Sequence, residues 1–167
     1  MPRLAASLPE EIPELARFLA AADLMAGREI SGIEPDPSPQ AAAYSGCAFA
    51  LTDANGEETR AVFRAAKVTP AKAGLFVTLW KRDTCGGTRP YRASDGVDVL
   101  YVAARTDDGY GYFTFAARDL AEAGILTAGK SAGKRGFRLY TPWDGQLNAT
   151  AARAWSWQRR FFTVPGR

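Results

Sequence analysis

Apolar residues near the start of this chain recur at helical spacing. The pattern extends from Ile12 to Leu24, and Ser7-Leu8-Pro9-Glu10 before it has the spacing of a capping box. The sequence therefore predicts an amphipathic helix over roughly 9–25, with Ser7 as its N-cap. Pro13 is expected to restart this helix one turn in, because proline removes a backbone donor.

A proline-rich connector separates this helix from a series of strand-like segments. Three prolines in five positions predict that 32–39 is irregular, and a short helix over about 39–44 follows. Asp53-Ala54-Asn55-Gly56 then lies between the runs 48–52 and 59–64, and an Asn-Gly turn in this position predicts a β-hairpin. Further strands are predicted over 75–82, 97–103, 110–115 and 136–140, and helices over 116–123 and 148–162, the last with Asn148 as N-cap.

This element order predicts an α+β fold. A helix, several antiparallel-type strands and two more helices suit one mixed or antiparallel sheet flanked by helices. At 167 residues the chain is long enough for a single core and is expected to be one compact domain overall. Residues 1–38 would supply the N-terminal helix and its connector, and 39–167 the main body.

Composition narrows the chemistry and the compartment. The chain has no histidine, which excludes Ser-His-Asp and Cys-His catalysis and histidine-ligated zinc. No apolar run approaches the roughly 18 residues that span a bilayer, and acidic residues interrupt the signal-peptide pattern at the N-terminus. Cys47 and Cys85 are too few for a disulfide framework, so we expect a cytoplasmic protein without membrane contact.

Charge changes sign along the chain. Residues 1–59 hold three arginines against ten acidic residues, whereas 60–167 hold 18 basic against 8 acidic residues, so the net charges are −7 and +10. The second part also contains all four tryptophans. Basic residues interleaved with planar rings suit unpaired nucleic acid, in which bases stack while cations follow the backbone. An ordinary solvated surface is the alternative.

Three basic segments are candidates for phosphate contact. Lys67-Val68-Thr69-Pro70-Ala71-Lys72 presents two lysines and a hydroxyl around a turn, and Trp80-Lys81-Arg82 places a ring beside two cations. Lys130 to Arg138 is the densest basic stretch, and it does not match a P-loop because Arg135 replaces the final hydroxyl. For each segment the alternative is a solvated loop or, for Trp80, a core position.

Other patterns have simpler explanations. Ala151, Trp155, Gln158 and Phe162 share a helical stripe, which is typical of packing. Asp83, Asp95 and Asp98 are close in sequence and could collect a divalent cation. Asp95-Gly96 is more simply a turn, and Asp98 the start of a strand.

The order of these motifs resembles the MepB-like family, which is named after a staphylococcal multidrug-efflux operon. The resemblance covers about 40–165 and is carried by Ala66–Lys72, Phe76–Arg82, Gly133–Tyr140, Pro142–Asp144, Trp157-Gln158 and Phe161-Phe162. It implies a restriction-endonuclease-like fold and action through nucleic acids, with no established reaction.

Nucleases of that fold carry one acid on a hairpin strand and (Asp/Glu)-x-Lys on the next, because the carboxylates hold Mg²⁺ and the lysine helps activate water. In this chain Ala65-Ala66-Lys67 occupies the motif, so the lysine is kept and the acid is replaced by Ala65. The resemblance therefore implies a nuclease scaffold without its metal site.

We accordingly expect a non-catalytic nucleic-acid-binding protein with no cofactor or metal. Single strands, DNA and RNA all remain open as ligands. The predicted contacts are Arg64, Lys67, Thr69, Lys72, Trp80, Lys81, Arg82, Lys130, Lys134, Arg135, Arg138 and Trp143. The alternatives are a metal-dependent phosphodiesterase using Glu57, Glu58, Asp83 or Asp98, and a regulatory domain that binds an acidic protein.

Overall fold

A six-stranded mixed sheet forms the centre of the fold. A computed structural model describes residues 12–24 and 26–166 of the chain. The strands of this sheet are Arg28–Pro35 (β1), Cys47–Asp53 (β2), Glu58–Ala65 (β3), Val99–Thr106 (β8), Gly109–Ala116 (β9) and Phe162–Thr163 (β11). They lie in the order β1-β2-β3-β8-β9-β11, and β3 and β8 are its parallel pair.

In the described part of the chain, two smaller β-structures and four α-helices surround the large sheet. Lys67–Val68 (β4), Leu75–Thr78 (β5) and Gly136–Leu139 (β10) form a small antiparallel sheet, and Trp80–Arg82 (β6) pairs with Thr88–Pro90 (β7) as a ribbon. The α-helices are Pro13–Ala22 (α1), Pro39–Ala42 (α2), Ala117–Glu122 (α3) and Ala149–Gln158 (α4). None of the helices in the described part is long and apolar enough to cross a bilayer. The predicted α+β class with a mixed sheet flanked by helices is confirmed.

The two faces of the large sheet pack against different layers. On one face, Leu15, Phe18 and Leu19 of α1 are buried against side chains that include Phe63 and Tyr101. On the other face, the core joins the large sheet to buried residues of the small sheet and to α4; it includes Val62, Leu100, Phe113, Phe115, Val77 and Leu139. Alternation along β3 and β8 sends successive side chains to opposite cores. The small sheet is therefore anchored on its inner face and open on its outer face.

The structure corrects two strand predictions. The prediction that 32–39 is irregular is wrong for its first part, since β1 continues to Pro35. Proline is tolerated there because β1 is an edge strand, and the register shifts between Ser31 and Glu34. The predicted strand over 75–82 divides at Leu79, because β5 pairs with β10 whereas β6 pairs with β7.

The helix ends also differ in part from the predictions. Within the described residues α1 begins at Pro13, the favoured position for proline in a first turn, and the predicted capping box at Ser7 lies outside the described residues. The predicted N-cap of α4 is confirmed, because Asn148 Oδ1 accepts a hydrogen bond from the Ala151 amide at 2.9 Å. This helix ends at Gln158 instead of 162, since the chain continues as a 3₁₀ turn and then as β11.

Candidate nucleic-acid interface

An open groove lies on the outer side of the small sheet. It has a volume of about 650 Å³, and the described residues that line it include two cations, three aromatic rings and no carboxylate. We call it the basic groove, and its lining residues are Gln40, Ala43, Tyr44, Lys67, Phe76, Thr78, Trp80, Thr88, Arg135 and Gly136. The groove thus brings together Lys67, Trp80 and Arg135, one residue from each of the three predicted basic segments.

Strand alternation builds the floor of the basic groove. Leu75, Val77 and Leu79 are almost fully buried against the core, so the residues between them face outward. Phe76 therefore lies on the outer face, directly opposite Lys67 on one neighbouring strand and Arg138 on the other. Residues opposite each other across antiparallel strands share a face, and the result is a row of cation, ring and cation across three strands.

Aromatic rings and backbone groups fix the cations of the groove. Lys67 Nζ lies 4.9 Å from the ring centroid of Tyr44. Arg82 does not line the groove, but its Cζ lies 5.8 Å from the ring centroid of Trp80, which does. Both are cation–π distances. Arg135 makes two hydrogen bonds to Thr88: Nε donates to the hydroxyl at 3.1 Å, and Nη2 donates to the backbone carbonyl at 2.8 Å. These contacts hold positive charge at the rim while leaving it next to solvent.

A second cavity adjoins the basic groove at Phe76 and Gly136, which line both. It measures about 360 Å³ and contains Lys134, Arg138 and Trp157. Arg138 Nη2 donates to the Thr69 hydroxyl at 2.6 Å and to the Ala73 carbonyl at 2.7 Å. The predicted contact Thr69 is therefore already bonded to another predicted contact, and the pair holds the 69–73 turn against β10.

Arg64 lies in the interior instead of on the basic groove. Only 2% of it is exposed, Nη1 donates to the Phe63 carbonyl at 2.8 Å, and Nη2 lies 3.4 Å from Asp36 Oδ2. Its Nε has no hydrogen-bond partner among the described residues. The guanidinium fits because Gly46 faces it, and a Cβ at residue 46 would lie 3.0 Å from Cζ.

Lys81 and Arg82 share with Arg64 a further cavity of about 360 Å³, which also contains Asp36 and Cys47. Lys81 Nζ lies 5.5 Å from the ring centroid of Tyr91. Burial raises the pKa of the Cys47 thiol to about 12, an effect that the charge of Arg64 partly offsets. The predicted cations of β6 therefore face a mixed environment of both charges, unlike the basic groove.

The remaining predicted contacts lie away from the groove. Lys72 and Trp143 line a cavity of about 210 Å³ together with Asp107, Asp108 and Asp144, so Lys72 shares this cavity with three carboxylates. The Trp143 ring packs at 5.6 Å, edge-on, against Phe162. Lys130 is exposed in the loop before β10.

A cavity of about 510 Å³ lies where the resemblance placed a nuclease centre. Ser45, Ala65 and Lys67 line it, and Glu14 and Asp107 are its carboxylates. Ala65 donates its amide to the Tyr44 carbonyl at 2.7 Å, which sets residue 65 beside the start of the neighbouring hairpin strand. Glu14 forms an ion pair with Arg105. Lys67 lines both this cavity and the basic groove, so the two are neighbours.

The acidic residues of the described ranges do not assemble a metal centre. No three His, Cys, Asp or Glu residues there are placed to hold a metal ion. Asp83 accepts the amides of Cys85 and Gly87, and Asp98 accepts that of Arg60 at 2.8 Å. Asp95 pairs with Arg89 at 2.9 Å, and a hydrogen bond from this guanidinium holds the pKa of the carboxyl below its usual range. These aspartates organise turns and strand starts.

Two aromatic residues of the groove, Tyr44 and Phe76, were not among the predicted contacts. The signal for Phe76 was present, because the alternation of Leu75, Val77 and Leu79 places residues 76, 78 and 80 on one face. Tyr44 carries no such signal, since it enters the groove only through the turn after α2.

Comparison with known proteins identifies the family. A crystal structure of MepB superposes with a TM-score of 0.77 at 30% sequence identity, covering 91% of this chain and 97% of that one. A bacterial homing endonuclease, I-Ssp6803I, gives a TM-score of 0.46 at 11% identity, covering 92% and 93%. No curated protein matches the chain. The MepB-like family model matches residues 38–164, and the chain belongs to the MepB-like family.

Proposed function

We propose that this protein binds nucleic acid without cleaving it, and that the phosphate backbone lies in the basic groove. Lys67 and Arg135 would contact phosphates, and Trp80 would stack on a base. The two free thiols, Cys47 and Cys85, favour a cytoplasmic location. The observation that carries the proposal is that cations and rings from separate segments line one groove, and that no carboxylate is among its lining residues in the described part of the chain.

This combination suits a polyanion for electrostatic reasons. A carboxylate in the groove would repel phosphate, whereas lysine and arginine release the counterions that condense on a nucleic acid. Base–ring stacking adds affinity that depends little on sequence, because every base has a π face. The cavities that contain Lys72 and Lys81 lack this combination, since aspartates line both.

The binding part of the proposal is tested by Lys67→Ala. Fluorescence anisotropy with a labelled oligonucleotide should show several-fold weaker binding than in the wild type, because a phosphate contact is lost. Arg118→Ala is the matched control: its side chain is 85% exposed on α3, outside the groove, and we expect no change. Equal effects of the two variants, or no binding by the wild type at low salt, would contradict the proposal.

The non-catalytic part rests on Ala65. A methyl group cannot ligate Mg²⁺, and this alanine takes the place of the acid in the nuclease motif, on the wall of the cavity that also contains Lys67. We expect intact DNA and RNA after incubation with the protein and Mg²⁺ or Mn²⁺. Cleavage by the wild type that Asp107→Ala abolishes would instead indicate an enzyme with carboxylates in unusual positions.

A further inference from the structure

We propose that the basic groove takes single-stranded nucleic acid and that one unpaired base stacks on Phe76. The inference rests on the proposed function. It adds that the nucleic acid is single-stranded and that the Phe76 ring provides this selectivity. Phe76 lies at the centre of the row formed with Lys67 and Arg138.

Phe76 differs from every other phenylalanine of the chain. All nine lie in the described ranges, and eight of them pack against another aromatic ring, whereas Phe76 does not. Its side chain is half-buried on the outer face of the small sheet. A Cβ at Gly136 would lie 2.7 Å from Phe76 Cζ, so the ring lies over a residue without a side chain. Because residue 136 is glycine, no side chain projects from the sheet surface beside the ring.

The neighbouring cations match a strand whose base lies on Phe76. Adjacent strands are about 4.8 Å apart, so Lys67 and Arg138 stand roughly 10 Å apart across the sheet, on either side of the ring. Arg138 is oriented by its two bonds from Nη2, to Thr69 and to Ala73. A base on Phe76 would therefore place the backbone on both sides of it within reach of a positive charge.

Phe76 also connects the two positively charged cavities. It lines the basic groove, which contains Trp80, and the adjoining cavity, which contains Lys134 and Trp157. A strand that crosses Phe76 would pass from one cavity into the other over the outer face of the small sheet. This gives a continuous path longer than the basic groove alone.

The arrangement selects unpaired nucleic acid over a duplex. In a duplex the faces of the bases are stacked on one another, so a ring that projects from a sheet has no base face to contact. Single-stranded DNA and RNA share the required chemistry, namely exposed base faces on a charged backbone. The experiment distinguishes single-stranded DNA from single-stranded RNA.

The test compares labelled single-stranded oligo(dT), oligo(U) and a DNA duplex of equal length by fluorescence anisotropy. We expect both single strands to bind at least about tenfold tighter than the duplex, and the comparison of oligo(dT) with oligo(U) shows which of the two strands is favoured. Phe76→Leu keeps the apolar bulk and removes the π face, so it should weaken single-strand binding by about 5- to 150-fold. Phe76→Trp should retain binding.

Thermal denaturation of each variant checks its fold, and bromouracil photocrosslinking to the wild-type protein gives a measurement that needs no variant. Crosslinks on Phe76 would support the inference, whereas crosslinks only outside β4, β5 and β10 would overturn it. A folded Phe76→Leu protein with wild-type affinity, or equal binding of duplex and single strand, would also overturn it. In that case the proposed function still stands if Lys67→Ala weakens binding, whereas a wild type that binds no nucleic acid removes both.

Discussion

At the scale of single residues, the buried guanidinium of Arg64 makes the stability of the fold depend on Asp36. This guanidinium is 2% exposed, and Asp36, whose side chain is 23% exposed, supplies the counter-charge. Taking a guanidinium out of water costs several kcal/mol, and a buried charge that loses its partner is strongly destabilising. Asp36 also accepts the Ser38 amide at 2.9 Å, so it joins the connector before α2 to β3.

We therefore predict that Asp36→Ala lowers the free energy of unfolding by about 3–5 kcal/mol. Urea denaturation followed by tryptophan fluorescence measures this change. Glu58→Ala is the control, because Glu58 pairs with Arg60 at 3.6 Å with both side chains more than half exposed, and such pairs contribute less than about 1 kcal/mol. Similar losses in the two variants would show that Arg64 does not depend on Asp36.

At the scale of secondary structure elements, Gln158 ties α4 to the small sheet. Its side chain accepts the Tyr140 amide at 3.0 Å and donates to the Arg138 carbonyl at 2.9 Å, and it is 1% exposed. Arg138 lies within the paired part of β10, and Tyr140 directly follows the last paired residue, Leu139. The last helix thus adds two hydrogen bonds at the end of the strand that supplies Arg138 to the second cavity.

We predict that Gln158→Leu destabilises the protein by about 1–3 kcal/mol for each backbone group left unpaired. Leucine keeps most of the apolar volume, so the loss reports chiefly on the two hydrogen bonds. Gln146→Leu, at an exposed position before α4, should change the free energy of unfolding by less than about 0.5 kcal/mol. A Gln158→Leu protein as stable as the wild type would mean that water replaces both bonds.

Elements that are determined by residues within them could be predicted from the sequence. Features that depend on pairing with remote parts of the chain could not. The β2–β3 hairpin follows from Asn55-Gly56, and the start of α4 follows from Asn148, because each signal lies within the element. The break at Leu79 has no local signal. It arises because residues 75–78 pair with β10 whereas residues 80–82 pair with β7, and these partner strands lie in separate parts of the chain.

The same distinction holds for the basic groove at the scale of the whole molecule. Charge and aromatic content indicated Lys67, Trp80 and Arg135, which the fold brings together. They could not indicate that Arg64 turns inward to Asp36 or that Lys72 lies among aspartates, because those acids come from distant parts of the chain. In the fold, some basic residues of the sequence are therefore paired with acids inside the protein, and others line an open surface.

Salt dependence tests how much of the positive surface meets phosphate. If five phosphates of a single strand are neutralised, the slope of log affinity against log salt should be about −3.5. Fluorescence anisotropy across a range of salt concentrations measures it. Lys67→Ala should reduce the magnitude of the slope by about 1, because one phosphate contact is lost. Trp80→Leu should lower affinity and leave the slope nearly unchanged, since stacking releases no counterions. A slope near zero in the wild type would show that phosphate does not occupy the groove.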